Sequence, residues 1–161
     1  MRIIFVRHGD PDYEHDTLTE KGHREAALLG KLAPELHLGD CYMSPLGRAQ
    51  HTAEYCLKVT GKNALVKDWL QEFPATVDIN DSPELQETYP DTKKKGGRYV
   101  LRIPWDMVPA YFSSHPEYMS RDGWRNSEVA RFSDTVGAYD NIAGKLDALL
   151  AEYGYVREGD H

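Results

Sequence analysis

Arginine, histidine and glycine stand together at residues 7–9, directly after the apolar residues 3–6. Such a run of β-branched and aromatic side chains predicts a buried strand, with Arg7 and His8 at its carboxyl end, where open α/β sheets bind ligands. A guanidinium donates two charge-assisted hydrogen bonds to a phosphate, and a neutral imidazole can attack phosphorus near neutral pH. The triplet therefore indicates phosphoryl chemistry. The alternative is a strand end that carries an incidental surface histidine.

A second arginine is expected at the start of a helix. Residues 41–43 indicate a short strand, and the Ser-Pro turn that follows leads into a helix that begins near Leu46. Arg48 then lies in the first helical turn, where free backbone N–H groups and the helix dipole favour an anion. An earlier helix is expected to begin after Thr19 as its N-cap and to continue through Ala33.

Three stretches in the first third of the chain resemble the histidine phosphatase superfamily, which includes the cofactor-dependent phosphoglycerate mutases. They are residues 7–9, 18–22 and 44–53 (RHG, LTEKG and SPLGRAQHTA), and their order and spacing match the family. The resemblance implies that His8 is the nucleophile that becomes phosphohistidine. It also implies that Arg7 and Arg48 bind the transferring phosphoryl group.

The family further has an acidic proton donor soon after a third short strand, for which residues 64–66 are the match. Glu72 is the candidate and Asp68 the nearest competitor. A carboxylic acid suits this position because an alkoxide leaves poorly unless it is protonated. Burial near apolar groups such as Trp69 would keep the acid protonated. An exposed loop carboxylate is the alternative for Glu72.

The chain departs from the family at a second catalytic-site histidine, which members carry on a late strand. His115 follows no predicted strand, and His161 is the final residue. We expect residues 128–153 to form the long helix that precedes that strand, and the chain to be incomplete at its carboxyl end. A remodelled site that uses His15 or His51 is the alternative.

The expected fold class is α/β, with a mostly parallel sheet flanked by helices as in phosphoglycerate mutases. Strand and helix signals alternate through the first 70 residues, and the 161-residue length fits a single domain, 1–161. Residues 73–126 hold six of the nine prolines and many aromatics, which indicates an inserted, lid-like segment.

Charge and composition restrict the partners and the compartment. A net charge of −7 argues against non-specific binding to nucleic acid or membranes, and the sequence has no apolar run of membrane-spanning length. Cys41 and Cys56 give no disulfide framework and suit small buried side chains in a reducing cytoplasm. The sequence contains no cluster of residues with the spacing of metal ligands, and we expect neither a metal nor an organic cofactor.

These inferences predict a metal-independent phosphomonoester hydrolase that acts on a small-molecule phosphate monoester through phosphohistidine at His8. A phosphoglycerate-type phosphomutase is one alternative, disfavoured because residues 10–17 are shorter than the corresponding mutase segment. A non-catalytic phosphate- or phosphoprotein-binding module is the other. The substrate and the oligomeric state stay open.

Overall fold

The computed structural model describes residues 1–159, and the chain divides after Glu72 into two compact units. In unit 1 the strands are β1 (Pro11–Asp12), β2 (Thr17–Leu18), β3 (Cys41–Met43) and β4 (Ala64–Val66), and the helices are α1 (Glu20–Leu32) and α2 (Gly47–Thr60). In unit 2 the strands are β5 (Lys94–Lys95) and β6 (Arg98–Tyr99), and the helices are α3 (Pro83–Thr88), α4 (Ala110–Ser114), α5 (Glu128–Arg131) and α6 (Thr135–Ala151). Short 3₁₀ turns cover Ala33–Leu36, Asp68–Leu70, Pro116–Met119 and Gly123–Asn126.

The first helix begins where the sequence predicts. The Thr19 hydroxyl accepts a hydrogen bond from the Gly22 N–H at 3.1 Å, so Thr19 is the N-cap of α1. α1 packs against α2 through Gly30, where a Cβ would lie 2.9 Å from the Tyr55 carbonyl oxygen. The close approach of the two helices therefore depends on a residue without a side chain at that position.

Parallel pairing occurs in a small two-stranded sheet of unit 1. β3 pairs with β4 in parallel, from Cys41 opposite Ala64 to Met43 opposite Val66, and α2 is the connection between them. Parallel neighbours need such a crossover, so β3, α2 and β4 form a β-α-β unit. The α/β class and both of these predicted strands are confirmed. The other two pairs, β1–β2 and β5–β6, are antiparallel.

The predicted buried strand at residues 3–6 is wrong. These residues form no strand, and their side chains are exposed, with Phe5 at 79% of its full accessibility. The apolar run shows only that the segment is suited to burial. A strand also needs a neighbour that accepts its backbone hydrogen bonds, and within residues 1–159 no strand pairs with this segment.

Unit 2 has its own buried core, and most of that core comes from residues 73–126. The fully buried side chains gather around Ile79, Leu85 and Tyr89, and Val129 of α5 joins them. The Tyr89 hydroxyl donates to the Pro104 carbonyl oxygen at 3.0 Å, and burial raises the pKa of Tyr89 to about 12. The segment interpreted as an insertion thus builds a packed core, and its role as a lid stays a prediction.

The single long helix expected over residues 128–153 is wrong in one respect, because the chain forms α5 and α6 with a break between them. The Asp78 N–H donates to the Phe132 carbonyl oxygen at 3.1 Å, and Ser133 forms a β-bridge with Val77. These pairings take up backbone groups that a continuous helix would need for itself. Among the helices of residues 1–159, none combines the length and the apolar character that a membrane span requires.

Candidate active site

A carboxylate of the chain itself lies at the N-terminus of α2. Asp16 Oδ2 accepts from the Gly47 N–H at 2.7 Å, and Oδ1 lies 3.5 Å from the Arg48 backbone nitrogen. Leu46, the N-cap, offers no side-chain hydrogen bond, so Asp16 satisfies donors that the helix leaves open. The anion site expected at this helix start is therefore occupied in part by Asp16.

The hairpin of β1 and β2 carries Asp16 to this position. Asp16 lies in the turn between the two strands with a φ of 46°, in the left-handed region that Asp adopts more readily than most residues. A Cβ on Gly47 would lie only 2.2 Å from the Asp16 carbonyl oxygen. Glycine at residue 47 thus permits the hairpin turn to lie directly against α2.

The guanidinium of Arg48 is held from several sides. Its side chain is only 10% exposed, and Nη1 donates to Asp16 Oδ1 at 2.9 Å. Nη2 lies 3.7 Å from Glu72 Oε2, and the ring of Tyr13 lies 5.2 Å from the guanidinium carbon. Nε is buried and has no hydrogen-bond partner within residues 1–159. The Nε–Nη2 edge is therefore the side from which Arg48 can donate two hydrogen bonds to an oxyanion.

The His8 ring is oriented by the backbone beside it. Nδ1 lies 2.8 Å from the Gly9 carbonyl oxygen, which can only accept a hydrogen bond. Nδ1 therefore carries the proton in the neutral ring, and Nε2 keeps the lone pair that a nucleophile needs. The ring also meets Tyr13 edge-on, with the two ring centroids 6.5 Å apart.

Thr52 ties the His8 loop to the helix that carries Arg48. The Gly9 N–H donates to the Thr52 hydroxyl at 3.1 Å, and that hydroxyl donates to the Arg48 carbonyl oxygen at 2.8 Å. Thr52 is buried, one turn after Arg48 on α2. His8 and Arg48 are thus joined through Thr52 on one side and through the Tyr13 ring on the other.

The other two predicted residues are placed less favourably. Arg7 is exposed and forms no hydrogen bond or ion pair within residues 1–159. Glu72 contacts Arg48 but its side chain is 59% exposed, so the expected burial against Trp69 is wrong. That burial fails because the Asp68–Leu70 turn ends before Glu72, and the chain there is exposed. Within the described residues, Asp68 forms no ion pair with Arg48.

The sequence model of the histidine phosphatase superfamily (branch 1) matches residues 3–100, more than half of the chain. The chain belongs to the histidine phosphatase superfamily. The match spans all three motifs and all four residues considered for the site.

Two individual proteins are similar to parts of the chain. Fructose-2,6-bisphosphatase TIGAR B of Danio rerio is 34% identical over an alignment 65 positions long, and the match covers 34% of this chain and 25% of that protein. The chain thus spans about a quarter of the length of this curated relative. A solved mycobacterial glucosyl-3-phosphoglycerate phosphatase, complexed with VO3, is 19% identical with a TM-score of 0.39, and the match covers 76% of this chain and 66% of that one.

His15 and His51 are the two candidates for a remodelled site that lacks the expected second histidine. Both side chains make other contacts. His15 pairs with Asp12 at 2.8 Å, and His51 Nδ1 lies 2.8 Å from the Thr17 hydroxyl. Within residues 1–159 neither ring contacts His8. A remodelled site that uses either histidine stays a prediction.

The two other histidines considered, His115 and His161, come late in the chain. His115 Nδ1 lies 2.8 Å from the Tyr111 carbonyl oxygen, and the His115 ring stacks on Tyr118, which packs against the core of unit 2. His161 lies outside the described residues. Within residues 1–159, no three His, Cys, Asp or Glu side chains converge as metal ligands do.

Sequence reasoning missed Tyr13, Asp16 and Thr52. Thr52 could have been found, because it lies in the 44–53 motif four residues after Arg48, on the same face of the helix. Tyr13 and Asp16 gave no comparable signal. Their contacts depend on the path of a tight hairpin turn, which local propensity does not specify.

Proposed function

We propose that this chain hydrolyses small phosphate monoesters without a metal ion, through a phosphohistidine at Nε2 of His8. The observation that carries the proposal is the Gly9 carbonyl oxygen 2.8 Å from His8 Nδ1, which directs the lone pair to Nε2. Two contacts support one cluster: the Tyr13 ring lies beside both the His8 ring and the Arg48 guanidinium, and Thr52 joins the backbone of Gly9 to that of Arg48.

In the first step Nε2 of His8 attacks phosphorus, and the ester oxygen leaves with the bonding electron pair. Glu72 donates a proton to that oxygen, so an alcohol leaves instead of an alkoxide. In the second step the Glu72 carboxylate removes a proton from water as the water oxygen attacks phosphorus. The nitrogen–phosphorus bond breaks, and inorganic phosphate and free His8 are formed.

Charge on the phosphoryl oxygens is balanced by arginine. The Nε–Nη2 edge of Arg48 donates to two of these oxygens, and Arg7 adds a second cation from the loop that carries His8. These guanidinium groups provide the charge that a metal ion provides in other phosphatases. Glu72 lies 3.7 Å from Arg48 Nη2, which supports its assignment beside the same phosphoryl group.

The short segment of residues 10–17 favours a hydrolase over a phosphomutase. Apart from its first residue, it lies within the hairpin of β1 and β2, in which each strand is two residues long and Leu18 completes β2. The curated relative from Danio rerio carries the name of a bisphosphatase, which supports hydrolysis of a small sugar phosphate. A cytoplasmic location is the corresponding expectation for such a substrate.

The test is phosphate release from p-nitrophenyl phosphate in the presence of a chelator, by the chain and its His8→Ala variant. We expect turnover that survives the chelator and is lost in His8→Ala. His37→Asn is the matched control, because His37 is exposed and asparagine tolerates its φ of 49°. Turnover that His8→Ala retains would refute the phosphohistidine. Conversion of 3-phosphoglycerate to 2-phosphoglycerate with a bisphosphoglycerate primer would favour the phosphomutase. Phosphate binding without turnover would favour the non-catalytic binding module.

The role of Glu72 is separated by the leaving group. Glu72→Gln should reduce hydrolysis of glycerol phosphate by roughly 10²–10⁴-fold, the usual contribution of a general acid. It should reduce hydrolysis of p-nitrophenyl phosphate far less, because nitrophenolate leaves without a proton. Asp68→Asn is the matched variant. If Asp68→Asn shows this pattern and Glu72→Gln does not, the proton donor is Asp68.

A further inference from the structure

We infer that Asp16 is a positioning residue for Arg48, which it holds by Nη1 so that the Nε–Nη2 edge is turned to the phosphoryl group. The inference rests on the proposed function, because it assigns the arrangement of one of its phosphate-binding residues. Asp16 itself does not touch the substrate in this account.

The geometry of the Asp16–Arg48 pair supports this role. Asp16 Oδ1 accepts from Arg48 Nη1 at 2.9 Å, while Oδ2 accepts from the Gly47 N–H at 2.7 Å. One carboxylate thus binds the end of the Arg48 side chain and the backbone just before Arg48. A guanidinium is planar, so a hydrogen bond at Nη1 restricts the direction in which its Nε–Nη2 edge points.

The Arg48 donor that remains without a partner in the described part of the chain, Nε, supports the same role. Arg48 is nine-tenths buried, and its Nε has no hydrogen-bond partner within residues 1–159. A buried donor without a partner is costly and uncommon in proteins. It is therefore expected where a ligand completes the arrangement. Nη2 lies on the same edge, and its contact with Glu72 at 3.7 Å is longer than a hydrogen bond.

The hairpin turn that carries Asp16 is held against α2. Asp16 lies in a hairpin turn whose strands pair at Pro11–Leu18 and Asp12–Thr17, and the turn backbone lies against Gly47. The Gly47 N–H, followed by the Arg48 backbone and side chain, holds the pKa of Asp16 below its usual range. The carboxylate is consequently ionised at neutral pH.

A double-mutant cycle tests the inference. We expect Asp16→Ala to reduce kcat/KM for p-nitrophenyl phosphate on the order of 10- to 100-fold, as misplacement of a catalytic group does. In an Arg48→Ala background the same change should cost less than about twofold, because nothing is left to position. Asp16→Asn should be intermediate, since an amide oxygen can still accept one of the two bonds. Equal losses from Asp16→Ala in both backgrounds would overturn the inference, because they would indicate a purely structural role.

Asp12→Asn is the matched control, because Asp12 lies in the same hairpin but pairs with His15 instead of Arg48. It should leave kcat/KM within about twofold of the starting chain. A loss as large as that of Asp16→Asn would mean that any change to the hairpin charge is damaging, which would also overturn the inference.

A spectroscopic measurement separates this inference from the proposed function. The Nε–H of a buried arginine exchanges slowly and gives a resolved ¹⁵N resonance. Inorganic phosphate should shift the Arg48 resonance in the starting chain, and the resonance should broaden or disappear in Asp16→Asn. If no turnover depends on His8 but these shifts occur, the proposed hydrolysis fails and the positioning role stands. If turnover depends on His8 but the resonance is the same in Asp16→Asn, the positioning role fails alone.

Discussion

Replacement of Arg48 by lysine keeps the positive charge and removes the fork. Arg48 directs Nη1 to Asp16 at 2.9 Å and leaves the Nε–Nη2 edge for an oxyanion, whereas an ammonium is a single point donor. A lysine that stays with Asp16 cannot also make both bonds to a phosphoryl group. A hydrogen bond to a charged group contributes about 1.5–3 kcal/mol, so the loss of one corresponds to roughly 10- to 100-fold in kcat/KM.

The assay is kcat/KM for p-nitrophenyl phosphate together with the inhibition constant of inorganic phosphate. Arg24→Lys is the matched control, because the Arg24 side chain is 70% exposed. Its Nη1 lies 3.7 Å from Glu20 Oε2, which is longer than a hydrogen bond. Thermal unfolding of Arg48→Lys shows whether unit 1 stays folded, since Arg48 is largely buried. An Arg48→Lys chain that is folded and within about twofold of the starting activity would refute the bidentate role.

Three further changes test the packing and the charges. Gly47→Ala places a Cβ 2.2 Å from the Asp16 carbonyl oxygen, so we expect a lower Tm and a loss of turnover, measured by thermal unfolding and the phosphatase assay. Leu85→Ala empties a fully buried position in unit 2 and should lower the free energy of unfolding in urea by about 2–5 kcal/mol. Asp10 has a pKa lowered from 3.8, chiefly by the Thr19 hydroxyl, so its stabilisation is present above pH 3.8 and is lost as the pH falls through the folded value. Asp10→Asn should therefore lower the Tm at neutral pH and have no effect on it once the pH is well below both values.

Each of these changes has a control at an open or exposed position. A Cβ on Gly39 meets no atom within 4 Å, so Gly39→Ala should leave the Tm of the chain nearly unchanged. Leu28→Ala removes a side chain that is 60% exposed and should cost far less than Leu85→Ala. Asp91 is exposed, and Asp91→Asn should leave the Tm at neutral pH nearly unchanged. Equal effects in a control and its partner would contradict the burial or pairing assigned to that partner.

Local features of the chain were predictable because their causes are local. The N-cap at Thr19, the strand at Cys41–Met43 and the position of Arg48 in the first turn of α2 follow from short patterns. A cap residue, a run of apolar residues and a Ser-Pro turn each act within a few residues, so the sequence around them is sufficient.

Features that depend on a distant partner were not predictable in this way. Residues 3–6 are apolar, but a strand also requires a neighbour, and none pairs with them within residues 1–159. The break between α5 and α6 depends on Val77 and Asp78, more than fifty residues earlier in the chain. In the candidate site, His8 and Arg48 were identifiable by type and order. The contact of Asp16 with Arg48 depends on the left-handed backbone conformation of Asp16, which no short sequence pattern predicts.

The most direct test of the phosphohistidine is to trap it. The chain would be mixed with p-nitrophenyl phosphate, quenched in alkali, digested and mapped by mass spectrometry under conditions that preserve nitrogen–phosphorus bonds. The account predicts a single phosphoryl group on His8 that is labile in acid, stable in alkali and absent from His8→Ala. Turnover without any such adduct, or an adduct on another histidine such as His15 or His51, would contradict it.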